Sequence, residues 1–575
     1  MKKIVILVLM ATLLMVLPAQ AQGVDLTSLA HYLPTDAPIY IAANSSAGSI
    51  ETVDSLASRL SGIIGMSVGS TPFSDLLDSE VQYMDSQSDF DSLVRPWLGD
   101  TIAMAVISPT QFIDDGELYL FVSVTDELRA RKYLNLALEN SSYADEYTIS
   151  EYAGGTLYLA SEDVGWNDSY WLTSDVLVVA DSSYDGFLYE PPTSDSLADN
   201  PKFNDTVALL PEDNYGAMMY LDTQAILQIL DQMGMSEAEG MFAGMNVSQL
   251  QEAIGAQAWG FGLMRGRHLT IDFAQHISLG VLEAAGFPMS ITGPVDPAFA
   301  QYIPADSALV LHDTQLGETI SQTLDTLAMM GEIFGAEQQR QLDDWGYASD
   351  ELTTMANLDE MAAFLRLSYK GLSGSSLEDS TAWMTGDYAA YIALPLVDDV
   401  LSVDIGAVTT VTDAAAAAAF SQSLQNILDA WGADYTVDGQ VVTFSALRQL
   451  AERMQAMEMG DMMDLPDLDI LFGYNDSVFA IGTRPGVENA LNGGSSLADS
   501  EAYQVASEVF LPDTQAIAYV DTQILTAGLY EMDSRANADT VELANILGEF
   551  ESASITADYS EDGIGIVRFV LTLPN

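Results

Sequence analysis

The chain has 575 residues, no Cys and a formal net charge of −66, from 84 acidic residues against 18 basic ones. Such a surface repels nucleic-acid phosphates and anionic lipid headgroups, so nucleic acid and an anionic membrane surface are excluded as partners. Without Cys there are no disulfides, no thiolate metal site and no cysteine nucleophile; with 49% hydrophobic residues, a chain of this length makes two or more domains held by core packing alone.

Lys2 and Lys3 precede an apolar stretch, Ile4 to Leu17, that ends at Pro18 and the small-x-small triplet Ala19-Gln20-Ala21. This pattern predicts a secretory signal peptide over 1–21 and an extracytoplasmic protein, periplasmic or secreted, beginning at Gln22. The run is short for a membrane-spanning helix, which disfavours the alternative of a retained anchor.

Strands are predicted at Ile39 to Ala43, Thr101 to Ile107 and Leu118 to Val124, the last two joined by a turn at Asp114-Asp115-Gly116. Helical spacing of Ile50, Val53, Leu56, Ala57 and Leu60 predicts a helix over 50–60, with further helices over 91–98 and 126–138. Strands follow at 147–152, 156–160, 176–179 and 217–221. Helices occupy much of 224–254, and strands Trp259 to Met264 and Leu269 to Phe273 close the first half as a surface hairpin. In the second half come a strand at 403–408, a helix over 414–428, strands at 435–437 and 441–444, and a final hairpin of 554–559 with 565–573. Hairpins outnumber regular strand–helix–strand crossovers, which points to an α+β fold with mostly antiparallel sheets.

The chain repeats itself. Ser196-Leu197-Ala198-Asp199 returns as Ser496-Leu497-Ala498-Asp499; each copy leads to a Leu-Pro (Leu210-Pro211, Leu511-Pro512) and then to Tyr-x-Asp-Thr-Gln (Tyr220 to Gln224, Tyr519 to Gln523). Earlier landmarks recur in the same order: Leu33-Pro34-Thr35-Asp36 with Ile303-Pro304-Ala305-Asp306, and Trp97-Leu98-Gly99-Asp100 with Trp383 to Asp387. The expectation is two tandem pseudo-repeat lobes, each a mostly antiparallel sheet packed with helices: 22–293 and 294–575, divided near Gly293-Pro294. Asp-Thr-Gln, which occurs at Asp222, Asp313 and Asp521, reads each time as a helix cap after a strand.

This landmark set resembles a bacterial family known only as "domain of unknown function 3352". The resemblance rests on Leu33 to Asp36, Trp97 to Asp100, and Ser196 to Phe203 leading to Leu-Pro and Tyr-x-Asp. The second half departs from it, with Glu501-Ala502-Tyr503 where the first has Asn200-Pro201-Lys202-Phe203. The resemblance implies an exported, envelope-associated or secreted protein; it carries no catalytic residues.

No motif assembles a recognisable chemistry. Gly65-Met66-Ser67-Val68-Gly69 has the G-x-S-x-G form, but a helical run precedes it where a strand is required. His31, His268, His276 and His312 match no zinc spacing. Gly260-Phe261-Gly262 begins like a dinucleotide fingerprint but continues to Arg265 in a strand–turn–strand context. Asp85, Asp89 and Asp91, and Asp461, Asp464, Asp467 and Asp469, lack calcium-loop spacing; calcium is expected only as an adventitious occupant. The Met-rich stretch Met454 to Met463 reads as a loop-helix insertion, with a flexible apolar binding lip as the alternative. No cofactor, metal or catalytic residue is therefore assigned. The favoured function is a non-enzymatic binding or scaffold protein of the cell envelope or secreted space, partnered by an envelope protein or a small apolar ligand. The alternatives are an extracytoplasmic hydrolase using Ser67 or a carboxylate pair, and a carrier of an apolar ligand between the lobes.

Overall fold

The computed structural model describes residues 23–64, 72–84, 86–107, 118–139, 147–161, 168–181, 189–232, 253–284, 291–345, 357–397, 400–445, 469–532 and 538–574. Ser67, the signal segment 1–21, the turn at Asp114-Asp115-Gly116 and the Met-rich stretch 454–463 lie outside them. The chain divides into two compact units: Met1–Glu237 with Val247–Ser278 and Asp562–Asn575, and Leu279–Glu561 with Ala238–Asn246.

Strands of the first unit are β1 (Ile39–Asn44), β2 (Leu98–Val106), β3 (Tyr119–Val124), β4 (Tyr147–Tyr152), β5 (Gly155–Ala160), β6 (Asp168–Leu172), β7 (Val176–Asp181), β8 (Ala217–Leu221), β9 (Ile254–Met264) and β10 (His268–Ile277). They pair antiparallel in the order β4-β5-β6-β7-β3-β2-β1-β8-β9-β10. Tyr40, Phe121, Tyr189, Phe203 and Tyr220 are among the largest fully buried side chains. Phe203 meets Tyr40 and Tyr220 edge-on, at 5.8 and 5.0 Å between ring centroids; this geometry favours aromatic pairs beyond the area they bury.

The second unit contains β11 (Ser307–Thr314), β12 (Asp387–Ala393), a small hairpin of β13 (Leu396–Val397) and β14 (Val400–Leu401), β15 (Asp404–Thr410), β16 (Tyr435–Asp438), β17 (Val441–Phe444), β18 (Ile470–Tyr474), β19 (Val478–Thr483), β20 (Ala516–Asp521) and β21 (Ser552–Tyr559). Its antiparallel order is β16-β17-β18-β19-β15-β12-β11-β20-β21. Two apolar clusters fill it. One centres on Tyr391, Tyr503 and Tyr519, and the other on Trp383, Phe472 and Phe479.

The chain's last strand, β22 (Ile564–Thr572), belongs to the first unit and pairs antiparallel with β10 from His268↔Thr572 to His276↔Ile564. The sequence reading placed a division near 293 and all of the C-terminus in the second lobe. The compact units instead divide between Ser278 and Leu279, and this strand's backbone pairing carries 562–575 into the first. The fold class is α+β with extensive antiparallel sheet.

The recurring motifs close each unit internally. The Ser196 backbone N–H and hydroxyl both donate to the Asp199 carboxylate, at 3.0 and 2.7 Å, while the Asp199 N–H donates back to Ser196, a reciprocal capping box; Ser496 and Asp499 repeat it at 3.2 and 2.7 Å. The early Leu-Pro-x-Asp motif meets this cap. Leu197 N–H donates to the Leu33 carbonyl at 3.0 Å, and Leu497 N–H to the Ile303 carbonyl at 2.8 Å. Hydrogen bonds from Ser196, backbone before hydroxyl, hold the Asp199 carboxyl below its ordinary pKa; those from Ser496, hydroxyl before backbone, lower that of Asp499.

Three local expectations need correction. The helix placed at 91–98 is one turn, Phe90–Leu93, because Leu98 already starts β2. Asp222 and Asp521 do accept backbone N–H bonds at helix starts, from Ala225 and from Gln523 and Ile524. Asp313 does not: it lies inside β11, bonds the adjacent Thr314 N–H, and the helix begins only at Leu316. Finally, β9 and β10 are no exposed closing hairpin, since β22 covers β10 and His268 is fully buried.

Candidate functional site

The residues singled out by sequence do not converge. His268 bonds Thr572 Oγ1 at 3.2 Å inside the first unit, whereas His276 sits at the register shift ending β10 and is exposed. His312, buried in the second unit, bonds Asp387 at 3.0 Å and stacks on Phe299. Asp89 caps a helical turn, Asp91 pairs with Arg95, and Asp469 accepts from Ser445 and Arg484. No group of three or more His, Asp or Glu that could hold a metal occurs among the described residues. Gly260 and Gly262 have a packing reason: a Cβ on Gly260 would lie 2.5 Å from the Tyr215 ring, which lies across the strand.

That tyrosine belongs to a buried polar cluster. Arg568 on β22 reaches Asp272 on β10 with two parallel bonds, Nε to Oδ1 at 2.6 Å and Nη2 to Oδ2 at 2.8 Å. Arg568 also bonds Glu212 at 2.8 Å, and the Tyr215 hydroxyl donates to Asp272 Oδ2 at 2.5 Å. The Arg568 and Asp272 side chains are 3% and 0% exposed. Burial opposes the Arg568 charge, but the bonds and charges of Asp272 and Glu212 outweigh it and raise its pKa. Burial first, then the Asp272 charge, pushes the Tyr215 hydroxyl up and keeps it a neutral donor. The Arg–Asp pair is sealed from solvent, each member has partners, and it bridges β10 and β22.

An open concavity lies in the second unit, among the helices Leu316–Trp345, Leu358–Ser373, Leu377–Thr381 and Ala414–Trp431. Their ends are well specified. Asp413 accepts from the Ala415 and Ala416 N–H groups, Ser376 from Asp379, and Gly374 and Gly432 terminate their helices in the left-handed region. Gly331 allows close helix approach, since a Cβ there would meet the Asp359 backbone nitrogen at 2.2 Å.

Between these helices is a cleft of about 480 Å³. The first helix contributes Thr319, Ile320, Thr323 and Leu324; the second contributes Leu365, Ser368, Tyr369 and Leu372; Leu377, Ile427 and Trp431 complete it. Each set follows helical spacing, so one face of each helix turns to the cleft. Leu324 forms a buried floor, while Leu365 and Trp431 remain 45% and 56% exposed. Exposed Met361, Phe364 and Leu367 lie on the same helix as Leu365. The Thr hydroxyls are spent on their own helix: Thr319 donates to the Gln315 carbonyl and Thr323 to that of Thr319. At the margin Arg366 is held by Asp325 at 2.7 Å and Glu378 at 2.6 Å. The volume lies in the range of small-molecule sites, and the lining is apolar with few polar atoms.

Sequence reasoning missed this cleft. The apolar stripe Leu365, Tyr369, Leu372 is legible as a helix face, but nothing in it shows that the facing helices leave space. Compared with protein-family models, with curated proteins and with solved structures, the chain finds no match. No helix among the described residues is long and apolar enough to cross a membrane.

Proposed function

We propose that this chain is an exported, non-enzymatic binding protein of the envelope or secreted space, and that it binds a small apolar molecule in the helical cleft of its second unit. The cleft carries the reading. About 480 Å³ of concave, mostly apolar space with exposed Leu365 and Trp431 at its edge gains free energy when a ligand removes that surface from water. Export is supported by the pattern of Lys2 to Ala21.

The reading of the chain as two pseudo-repeat lobes is part of this proposal. It is supported by the matching strand orders, β4-β5-β6-β7-β3-β2-β1-β8-β9 and β16-β17-β18-β19-β15-β12-β11-β20-β21, and by the two Ser-Leu-Ala-Asp capping boxes. The same motifs support kinship with the "domain of unknown function 3352" family.

The test is a fluorescence titration of the full mature chain with N-phenyl-1-naphthylamine, a neutral reporter that the −66 charge does not repel. Saturable enhancement is expected for the wild type, with loss in Leu365→Glu and Ile427→Glu. Equal titration of all three proteins, or no enhancement in any, overturns the reading.

A further inference from the structure

The helix Leu358–Ser373 carries more apolar surface than the cleft uses. Met361, Phe364 and Leu367 do not line the cleft, yet all three are exposed, Phe364 by 67% and Leu367 by 70%. Their spacing of three makes them one ridge, and spacing of four ties that ridge to the cleft wall: Met361 neighbours Leu365, and Phe364 neighbours Ser368. Leu365 and Ser368 both line the cleft, and Leu365 is itself exposed, as is Trp431 on the helix Ala414–Trp431. Apolar surface therefore runs out of the cleft and over its rim. Single exposed apolar side chains are ordinary, but a contiguous set at the mouth of an apolar cleft marks an interaction surface.

Charge selects what that surface meets. A net charge of −66 repels both an anionic bilayer and a second copy of the chain. The ridge itself ends in a cation. Lys370 follows Leu367 by one turn, is exposed, and makes no ion pair among the described residues, whereas Arg366 is divided between Asp325 and Glu378. The acidic residues of this helix, Asp359 and Glu360, lie in its first turn, at the opposite end. An ammonium whose stem runs along apolar side chains suits a lipid phosphate, and an exposed indole suits the same polar–apolar boundary.

Building on the cleft-binding reading, we infer that this rim docks on a net-neutral, zwitterionic lipid bilayer, with Phe364 and Leu367 entering the headgroup layer and Lys370 meeting a lipid phosphate. The bilayer is also where a small apolar molecule accumulates, so a cleft that opens at its surface exchanges the ligand without carrying it through water.

The experiment co-sediments the same mature chain, which lacks the apolar stretch Ile4 to Leu17, with phosphatidylcholine vesicles, and repeats it with phosphatidylglycerol added. Wild type binds phosphatidylcholine and binds the mixed vesicles less well at low salt. Phe364→Ser and Leu367→Ser each weaken vesicle binding about tenfold or more, the worth of burying one such side chain. Both variants still titrate with N-phenyl-1-naphthylamine in the absence of vesicles, since neither residue lines the cleft. A wild type that binds the reporter but no phosphatidylcholine, variants that bind vesicles as the wild type does, tighter binding to the phosphatidylglycerol vesicles, or a wild-type dimer that Phe364→Ser dissociates overturns the docking inference while cleft binding stands. Failure of the reporter to bind the wild type removes the cleft reading itself.

Discussion

Replacing Arg568 by Ala isolates a carboxylate in the core of the first unit. Asp272 is 0% exposed and receives two bonds from Arg568, at 2.6 and 2.8 Å, and one from the Tyr215 hydroxyl at 2.5 Å. The substitution leaves only the last. Breaking one side of a buried pair costs about 3–5 kcal/mol, because the remaining charge keeps its desolvation penalty. At about 1.4 kcal/mol per decade this shifts the unfolding equilibrium of the unit by about two to four decades. Urea unfolding at pH 7, followed by the fluorescence of first-unit tryptophans such as Trp171, reads it as a lower midpoint. The double variant Arg568→Met with Asp272→Leu removes both charges and should regain most of the loss, since apolar replacement of a buried pair is often neutral or stabilising. A loss below about 1 kcal/mol for Arg568→Ala, or a double variant as unstable as the single one, refutes the claim that Asp272 needs Arg568 as its buried partner.

Other outcomes follow from the same structure. Gly260→Ala should destabilise the first unit by about 1–3 kcal/mol, the usual cost of overpacking, because its Cβ would fall 2.5 Å from the Tyr215 ring; a thermal melt checks it. Burial holds the Asp521 carboxyl above its ordinary 3.8, against the lowering effect of the Ile524 and Gln523 N–H bonds. The folded state therefore holds the extra proton in the window from 3.8 up to that raised value, and stability is lost as pH rises through it. Asp521→Asn keeps an acceptor for the cap and removes the charge, so it should flatten this pH dependence and be at least as stable as the wild type at pH 7; melts across acidic to neutral pH measure both. The net charge of −66 predicts that raising salt from low ionic strength increases the melting temperature, by screening self-repulsion; a melting temperature flat in salt would contradict a surface dominated by like charge.

The sequence made local structure legible where one signal sufficed. Alternation and apolar content locate β1, β3 and β8 within about a residue of their observed ends. The helix expected over 414–428 is observed as Ala414–Trp431. Non-local structure was not legible. Asp272 and Arg568 are 296 residues apart, and each alone reads as one more surface charge on a strand. His268 alternates as an outward residue would on an edge hairpin; in the fold it shares the buried face of β10 with Thr270 and Asp272 and bonds Thr572 on β22. Gly260-Phe261-Gly262 imitates a cofactor motif because its spacing follows one face of a strand, and the Tyr215 ring that requires it comes from another segment. The cleft was hidden for the same reason: its walls come from four separate helices, and its volume exists only in how they meet.

A crystal structure of the full chain grown with 1-octanol tests the binding claim most directly. The account predicts the alcohol's apolar chain seated in the cleft against Leu324, Ile427 and Trp431. An unchanged cleft with the alcohol bound elsewhere, or the helices Leu316–Trp345 and Leu358–Ser373 closed upon each other so that no space remains, would contradict it.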